Sequence, residues 1–329
     1  MTTVPATAAN EAAVALESAG RSFGDVHALR DLSLRVEAGT IVGVIGPSGA
    51  GKTTSIRLMT GGLAPTSGRV RVLGEDPRRF RRGTRERIGY LPQHFTLYPD
   101  LSAGENVSFM ASIHGLLWWR RRRRVREVLG VVDLWDVRGR RAGDLSGGMQ
   151  RRLELATALA HDPAVLFLDE PTGGIDPVLR SQIWEELHGL REAGRTLIVT
   201  TQYVNEAEEC DVVALISEGR LIALGPPEQL RTDALGGHAI EVETQRAFDG
   251  AELADEQAVR RIQQTGPRTF VAIVDDAGTA TPAVVEAVAA HGGDVQSARE
   301  YRPSFDEVFA ALLSGEAVRQ TAGTDEAAA

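Results

Sequence analysis

Cysteine and long apolar runs are scarce in this sequence. Its 329 residues include one cysteine, Cys210, which excludes an internal disulfide framework and is typical of a reducing cytoplasm, where it would serve as a small buried apolar residue. No stretch reaches the roughly 18 to 20 consecutive apolar residues that a spanning helix needs, and residues 1–10 lack the basic and apolar regions of a signal peptide. We therefore expect a soluble chain, whose membrane role, if any, would depend on another polypeptide.

An excess of basic charge is also absent. The net charge is −9, which argues against general binding of nucleic acid. The seven histidines are scattered without the spacing of a metal site, so we expect no zinc site. One local exception follows Trp118-Trp119, where arginines occupy 120–124 and 126. Two interpretations stay open for this run: a solvated helix face, or a surface close to anionic lipid headgroups.

The length suits one large domain followed by a small one, because single cores usually stop growing below about 250 to 300 residues. The Ala- and Thr-rich residues 1–12 and the end, 315–329, hold few large apolar side chains, and we expect both to be disordered. Gly236-Gly237 marks the predicted boundary between a large domain, 13–236, and a small domain, 237–314.

Within the large domain the apolar pattern alternates between strands and helices. Segments Val14–Ser18, Leu32–Val36 and Arg69–Leu73 predict an antiparallel sheet, and later strands separated by helices predict a mainly parallel sheet. A helical stretch, about 101–144, begins with the capping box Ser102-x-x-Glu105 and predicts a separate helical subdomain. The small domain reads as α+β, with predicted strands at Ala239–Glu243 and Thr269–Val274. Its predicted helices are Ala254–Gln263, Pro282–His291 and Phe305–Leu313.

A phosphate-binding loop follows the apolar strand Ile41–Ile45. The string Gly46-Pro47-Ser48-Gly49-Ala50-Gly51-Lys52-Thr53-Thr54 has the spacing G-x-x-x-x-G-K-[ST]. Its glycines let backbone N–H groups turn inward around the β- and γ-phosphates, Lys52 adds a positive charge, and the Thr53 hydroxyl can ligate Mg²⁺. The motif predicts binding of ATP or GTP.

Two carboxylates end the apolar strand Val165–Leu168. Asp169 and Glu170 would lie at its carboxyl end, where ligands bind in open α/β sheets. We predict that Asp169 holds the Mg²⁺ ion, directly or through water, and that Glu170 orients or deprotonates the attacking water.

A third motif, Leu145-Ser146-Gly147-Gly148-Met149-Gln150, comes just before a predicted helix. Ser-Gly-Gly at a helix N-terminus can bind an anion, although alone it would equally describe an ordinary helix cap.

In this order the motifs resemble those of the nucleotide-binding subunit of an ABC transporter, over about Val14 to Pro227. The matching residues are the phosphate loop Gly46–Thr53, a glutamine loop at Gln93, the signature Leu145–Gln150, the metal strand with its catalytic glutamate Val165–Glu170, and a D-loop, Gly174-Ile175-Asp176-Pro177. The resemblance implies a P-loop NTPase of α/β class with a mainly parallel sheet core, an antiparallel β subdomain, a helical subdomain and a small C-terminal α+β domain.

The resemblance also implies roles for individual residues. Ser146, Gly147 and Gly148 of one cassette, with Asp176 of the D-loop, would meet ATP held by the phosphate loop of a second copy in a head-to-tail homodimer. Gln93 would reach the metal ion or the attacking water and report the nucleotide state to a membrane partner. Phe23 falls where the family usually has an aromatic residue that stacks on adenine, and a core phenylalanine is the alternative.

Two departures from the family pattern bear on its subgroup. Met149 ends the signature where glutamine is common, a variation of exporter-type cassettes. Gln202 stands where most members have a histidine that contacts the γ-phosphate; it can donate a hydrogen bond but cannot become cationic. The string Thr200-Thr201-Gln202-Tyr203, together with the C-terminal string 302–309, resembles the daunorubicin-resistance type of cassette.

That subgroup implies an ATPase that uses ATP and Mg²⁺ and drives export through a separate membrane-spanning permease subunit. The cassette would be peripheral on the cytoplasmic face of the membrane through that permease, and no nucleic-acid partner is expected. Two alternatives remain. An importer cassette commonly carries a longer, barrel-like C-terminal domain, and a soluble ABC protein acting on ribosomes or DNA is expected to have two cassettes or a long coiled coil, neither of which this sequence shows.

Overall fold

The computed structural model describes residues 12–94 and 96–314. The strands are β1 (Val14–Phe23), β2 (Val26–Val36), β3 (Ile41–Ile45), β4 (Ser67–Val72), β5 (Ile88–Leu91), β6 (Val165–Asp169), β7 (Thr196–Thr201), β8 (Val212–Ser217), β9 (Arg220–Gly225), β10 (His238–Thr244), β11 (Arg261–Gly266), β12 (Thr269–Val274) and β13 (Val295–Tyr301). The helices are α1 (Lys52–Met59), α2 (Arg82–Arg85), α3 (Ala103–Ile113), α4 (Trp118–Val131), α5 (Gly147–Leu159), α6 (Pro177–Glu192), α7 (Pro227–Leu235), α8 (Ala277–Ala290) and α9 (305–314).

The chain divides into two compact units between Leu224 and Gly225. The sequence predicts this boundary later, at Gly236-Gly237, which would leave α7 in the large domain. In the structure α7 belongs to the second unit, because it packs against β10. Of the predicted disordered ends, all but Ala12 lie outside the described residues.

Two sheets build the first unit. Strands β2, β1 and β4 form the predicted antiparallel sheet, and six strands form a second sheet in the order β5-β6-β7-β3-β8-β9, whose first five strands run parallel. The predicted α/β fold with a mainly parallel core is therefore confirmed.

The centre of the parallel sheet positions the site. Every residue of β3, β6 and β7 is buried, as expected for parallel strands covered on both faces. Since these three strands are neighbours, their carboxyl ends bring three segments of the sequence to one edge: the phosphate loop, Asp169-Glu170 and Thr201-Gln202. Cys210 is buried beside this sheet, and burial raises the pKa of its thiol; it is the small apolar residue that the sequence predicts.

Helices α3, α4 and the signature helix α5 pack together as the helical part of this unit. Helix α3 starts with the predicted capping box, because the Ser102 hydroxyl accepts from the Glu105 N–H and the Glu105 carboxylate accepts from the Ser102 N–H. Among the helices of the described residues, none has both the length and the apolarity to cross a membrane.

The second unit is an α+β arrangement. Its antiparallel sheet has the order β11-β12-β10-β13, and α8 covers one face through an apolar core that includes Phe270 and Val284. The predicted helix Ala254–Gln263 is wrong: residues 254–260 form turns and β11 follows. Glutamine-rich composition favours a helix locally, but pairing of β11 with the edge of β12 and packing of the partly buried Ile262 against the core override that preference.

Candidate active site

The phosphate loop connects β3 to α1 and needs glycine at two points. A side chain at Gly46 would collide with the carbonyl oxygen of Ile216, 2.0 Å from the Cβ position. Gly51 has φ +106°, which L-residues rarely adopt. No side chain caps the first turn of α1, so its N–H groups are available to phosphate oxygens. Pro47, Ser48 and Gly49 are exposed at the tip of the loop, while Ala50 is buried and Thr53 and Thr54 are half-buried.

Lys52 is folded back into this loop. Its side chain is 4% exposed, and Nζ donates to the carbonyls of Gly46 at 2.8 Å and Pro47 at 3.0 Å. It also lies 3.5 Å from Oε1 of Glu170. The buried ammonium therefore links the loop to the end of β6.

Asp169 carries an incomplete set of partners. Its Oδ1 accepts from the hydroxyls of Thr200 at 2.6 Å and Thr53 at 3.2 Å, whereas Oδ2 is buried without a hydrogen-bond partner among the described residues. An orphaned carboxylate oxygen next to a threonine hydroxyl is a donor set that fits Mg²⁺, which prefers oxygen ligands. Partial burial, and secondarily the charge of Asp169, raise the pKa of the nearby Tyr90 phenol.

Glu170 is held in an unusual backbone conformation at φ +51°, a left-handed region that costs free energy for residues other than glycine and is common at functional sites. Its N–H is fixed by the carbonyl of Thr200 at 3.1 Å and the Thr200 hydroxyl at 3.0 Å. Its carboxylate lies between Lys52 and Gln93, whose Nε2 donates to Oε2 at 3.0 Å. The structure thus brings together four predicted residues: Lys52, Gln93, Asp169 and Glu170. Of the two carboxylates, Gln93 is hydrogen-bonded to that of Glu170.

The signature and the D-loop face each other across a cavity of about 340 Å³, which Gln93, Gly147, Gly148 and Asp176 help to line. Ser146 caps α5 and Asp176 caps α6, each accepting from a backbone N–H of the first turn. Within the described residues, no hydrogen bond or ion pair joins Ser146 to the phosphate loop of the same chain. Ser146 and Gly147 are exposed, so the start of the signature helix is open on the surface.

Two predicted site residues, Gln202 and Phe23, are not bonded to the group formed by Lys52, Gln93, Asp169 and Glu170 among the described residues. Gln202 follows β7 at the same sheet edge but is exposed, and its side chain makes no hydrogen bond to any residue that the structure describes. Phe23 ends β1, is 46% exposed and stacks under the guanidinium of Arg21 at 4.5 Å. The core interpretation of Phe23 is excluded, and an open aromatic face remains.

The sequence analysis missed Arg151, in the first turns of α5. This side chain is 9% exposed. Its Nε donates to the Pro171 carbonyl at 2.9 Å, and one terminal nitrogen donates to the carbonyls of Glu170 at 2.7 Å and Asp169 at 3.3 Å. The other terminal nitrogen reaches the Pro92 carbonyl at 3.3 Å. One guanidinium therefore joins the signature helix to both carboxylate-bearing residues and to the glutamine loop.

Glu154, one turn further along α5, completes this connection. Its carboxylate pairs with Arg151 at 2.7 Å and accepts from the Thr96 N–H at 2.9 Å. Both charged side chains are buried on a helix face that also carries buried apolar residues. An Arg-x-x-Glu pair among these residues is the one sequence signal that could have indicated a buried ion pair here.

Comparison with known proteins gives a consistent result. Residues 29–173 match the family model described as ABC transporter, and residues 225–312 match the model described as ATP-binding protein DrrA1-3-like, C-terminal domain. The chain is 38% identical to the daunorubicin resistance ATP-binding protein DrrA3 of Streptomyces coeruleorubidus, over 91% of this chain and 95% of that protein. It is also 38% identical to the Nod factor export ATP-binding protein I of Paraburkholderia xenovorans, over 80% of this chain and 87% of that protein.

Solved structures extend the similarity to the fold. The structure of cbiO1 from Clostridium perfringens, part of the ABC transporter complex cbiONQ, matches with a TM-score of 0.63 and 30% identity over 67% of this chain and 91% of that one. The dimeric, post-hydrolysis structure of the ATP-binding cassette MJ0796 bound to ADP and Pi matches with a TM-score of 0.59 and 28% identity, over 65% of this chain and 98% of that one.

Proposed function

The chain belongs to the ABC transporter family of ATP-binding proteins and is an ATPase, and from that premise we propose that it powers an exporter whose membrane-spanning permease is a separate chain. The observation that carries the catalytic part is the group formed by Lys52, Gln93, Asp169 and Glu170 beyond the carboxyl ends of β3, β5 and β6.

In this proposal ATP binds on the phosphate loop. The glycines and the free N–H groups of α1 surround the β- and γ-phosphates, and Lys52 exchanges its loop carbonyls for phosphate oxygens. Phe23 offers its exposed face to the adenine ring. Mg²⁺, held by Thr53 and the orphaned oxygen of Asp169, would neutralise charge that develops on the phosphates.

Glu170 is the proposed catalytic base. Gln93 donates to one of its oxygens and Lys52 lies near the other, so the carboxylate is oriented before a water molecule reaches it. Gln202, exposed at the end of β7, supplies a neutral hydrogen-bond donor to the γ-phosphate. Gln93, with one end on Glu170 and its backbone between β5 and the helical part, is the residue that would report the nucleotide state to the permease.

The exposed signature supports a dimer. Since Ser146 is exposed and, among the described residues, is not bonded to the phosphate loop of its own chain, we propose that Ser146 and Gly148 cover the γ-phosphate of a second copy, with Asp176 at the same interface. Each ATP would then join two cassettes, and hydrolysis would release them.

Export rather than import is supported by the two relatives, of which one is named for daunorubicin resistance and the other for Nod factor export. The C-terminal match to the DrrA1-3-like model agrees with the first of them. The permease would hold the cassette on the cytoplasmic face of the membrane. The transported substrate is a property of that partner.

Co-purification with the candidate permease tests this proposal. A tagged chain expressed with that permease should yield a detergent-stable complex whose ATP hydrolysis drives efflux after reconstitution into vesicles. Lys52→Ala should retain the complex and abolish efflux, which separates assembly from catalysis. Recovery with ribosomes, and with no membrane protein, would contradict the exporter proposal and favour the soluble alternative.

A further inference from the structure

The arginine run on α4 separates into two groups in the structure. Arg124 is tied down, because it donates to the Leu159 carbonyl at 2.8 Å and pairs with Asp162 at 3.0 Å. Arg121 is half-buried. The other arginines of the run, at 120, 122, 123 and 126, are exposed. Of this run, only Arg121 and Arg124 are therefore partly buried in the protein.

Three of the exposed arginines share one helix face with Trp119. Trp119, Arg122, Arg123 and Arg126 are spaced i, i+3, i+4 and i+7, which aligns them along α4, and all four are exposed. We call these residues the tryptophan–arginine face. Arg122 makes no ion pair within the described ranges, Arg123 pairs with exposed Glu127 on its own helix, and Arg126 stacks 5.3 Å from the Trp135 ring.

Large apolar side chains are also exposed at the end of α3 and the start of α4. Ile113, Leu117, Trp118 and Trp119 are between 53% and 62% exposed, and the two indole rings pack edge to face at 5.9 Å. A merely solvated helix face explains exposed arginines, but it gives no reason to expose two tryptophans and two aliphatic residues beside them.

We propose that this face lies against an anionic lipid surface. Tryptophan is favoured at the headgroup level of membranes, arginine can extend its aliphatic stem along apolar groups while its charge meets phosphate, and a helix that combines both is typical of interfacial binding. The basic face stands out on a chain of net charge −9, so the attraction is local. The inference rests on the proposed function in one respect only. The permease would bring the cassette to the membrane, and the weaker lipid contact would then strengthen its membrane association.

Flotation of the purified full chain with vesicles, without any permease, tests the contact. Wild type should associate with vesicles of equal parts phosphatidylglycerol and phosphatidylcholine and much less with phosphatidylcholine alone, and salt should weaken the association. The triple variant Arg122→Gln/Arg123→Gln/Arg126→Gln should partition about 100-fold more weakly, from about fivefold for each arginine.

A matched triple, Arg30→Gln/Arg69→Gln/Arg71→Gln, removes the same charge from exposed positions of the antiparallel sheet and should bind like wild type. A second measurement follows tryptophan emission, which should shift to the blue on addition of anionic vesicles in wild type and not in Trp118→Phe/Trp119→Phe.

Three results would overturn the proposal: wild type that ignores anionic vesicles, an α4 triple variant that floats like wild type, or association that appears only when a permease is present in the vesicles. The last result would assign the face to a protein partner. None of them would change co-purification with the permease or ATP-driven efflux, so failure of this proposal is distinct from failure of the exporter proposal.

Discussion

Replacing Arg151 tests whether one buried guanidinium positions the catalytic residues. Arg151→Lys keeps the positive charge beside Glu154 but cannot match the planar fork that reaches four carbonyls. Arg151→Met removes the charge as well. The substitutions therefore separate the pairing of charges from the positioning of the backbone at the end of β6.

The expected losses follow from burial. In Arg151→Met the Glu154 carboxylate, 4% exposed, loses its counter-ion, and removal of one partner of a buried pair costs about 3–5 kcal/mol in the free energy of unfolding. Arg151→Lys should cost about 1–2 kcal/mol, since hydrogen bonds are lost while the charge stays. The double variant Arg151→Met/Glu154→Met should be more stable than Arg151→Met alone, because no unpaired charge remains.

Catalysis should respond differently from stability. The guanidinium holds the carbonyls of Asp169 and Glu170, and misplacement of reacting groups by about 1 Å can cost on the order of 100-fold. We expect Arg151→Lys to lower kcat by about 10- to 100-fold with little change in KM for ATP, because the phosphate loop is untouched.

The assay is steady-state ATP hydrolysis together with chemical unfolding, and exposed Arg140→Lys in the same unit is the matched control. An Arg151→Lys protein with the wild-type kcat would refute the positioning argument. A fall in kcat no larger than the fraction of protein found unfolded would also refute it, because inactive protein lowers the apparent kcat and leaves KM unchanged.

Two further predictions concern Gln202, the proposed hydrogen-bond donor to the γ-phosphate, and the half-buried His161. Gln202→Ala should retain measurable activity with kcat reduced about 10- to 100-fold, and Gln202→His should add a pH dependence near pH 6.5; wild-type rates for the alanine variant across the pH range would remove Gln202 from the site. Burial, with the neighbouring His114 ring stacked at 3.6 Å, lowers the pKa of His161 to about 4. Between about pH 6.5 and pH 4 the unfolded chain therefore binds a proton at this residue that the native state does not bind. The free energy of unfolding should therefore fall as pH drops from 6.5 to 4, less so in His161→Gln, and parallel pH curves for the two proteins in urea would contradict this.

The residues that the sequence could predict are those whose chemistry demands a type at a fixed spacing. Lys52 and Thr53 follow a glycine pattern that only phosphate binding explains, and Asp169 and Glu170 end a strand that is apolar throughout. Because β3 and β6 are fully buried parallel strands, their ends also had to meet at one sheet edge.

Other features depend on partners that are distant in sequence. Arg151 binds backbone carbonyls, which any residue type supplies, so nothing in the sequence marks its targets. Strand β11 has a helix-like composition and takes its conformation from pairing with β12. The exposure of Phe23 likewise follows from where β1 ends rather than from its neighbours in sequence.

The central claim, that ATP joins two of these cassettes through the signature of one and the phosphate loop of the other, is tested most directly by sedimentation of Glu170→Gln. This variant should bind Mg-ATP without hydrolysing it and should sediment as a dimer, whereas without nucleotide it should be a monomer. Adding Ser146→Arg, at the exposed cap of α5, should restore the monomer while leaving ATP bound. A Glu170→Gln protein that binds ATP and remains strictly monomeric would contradict the account.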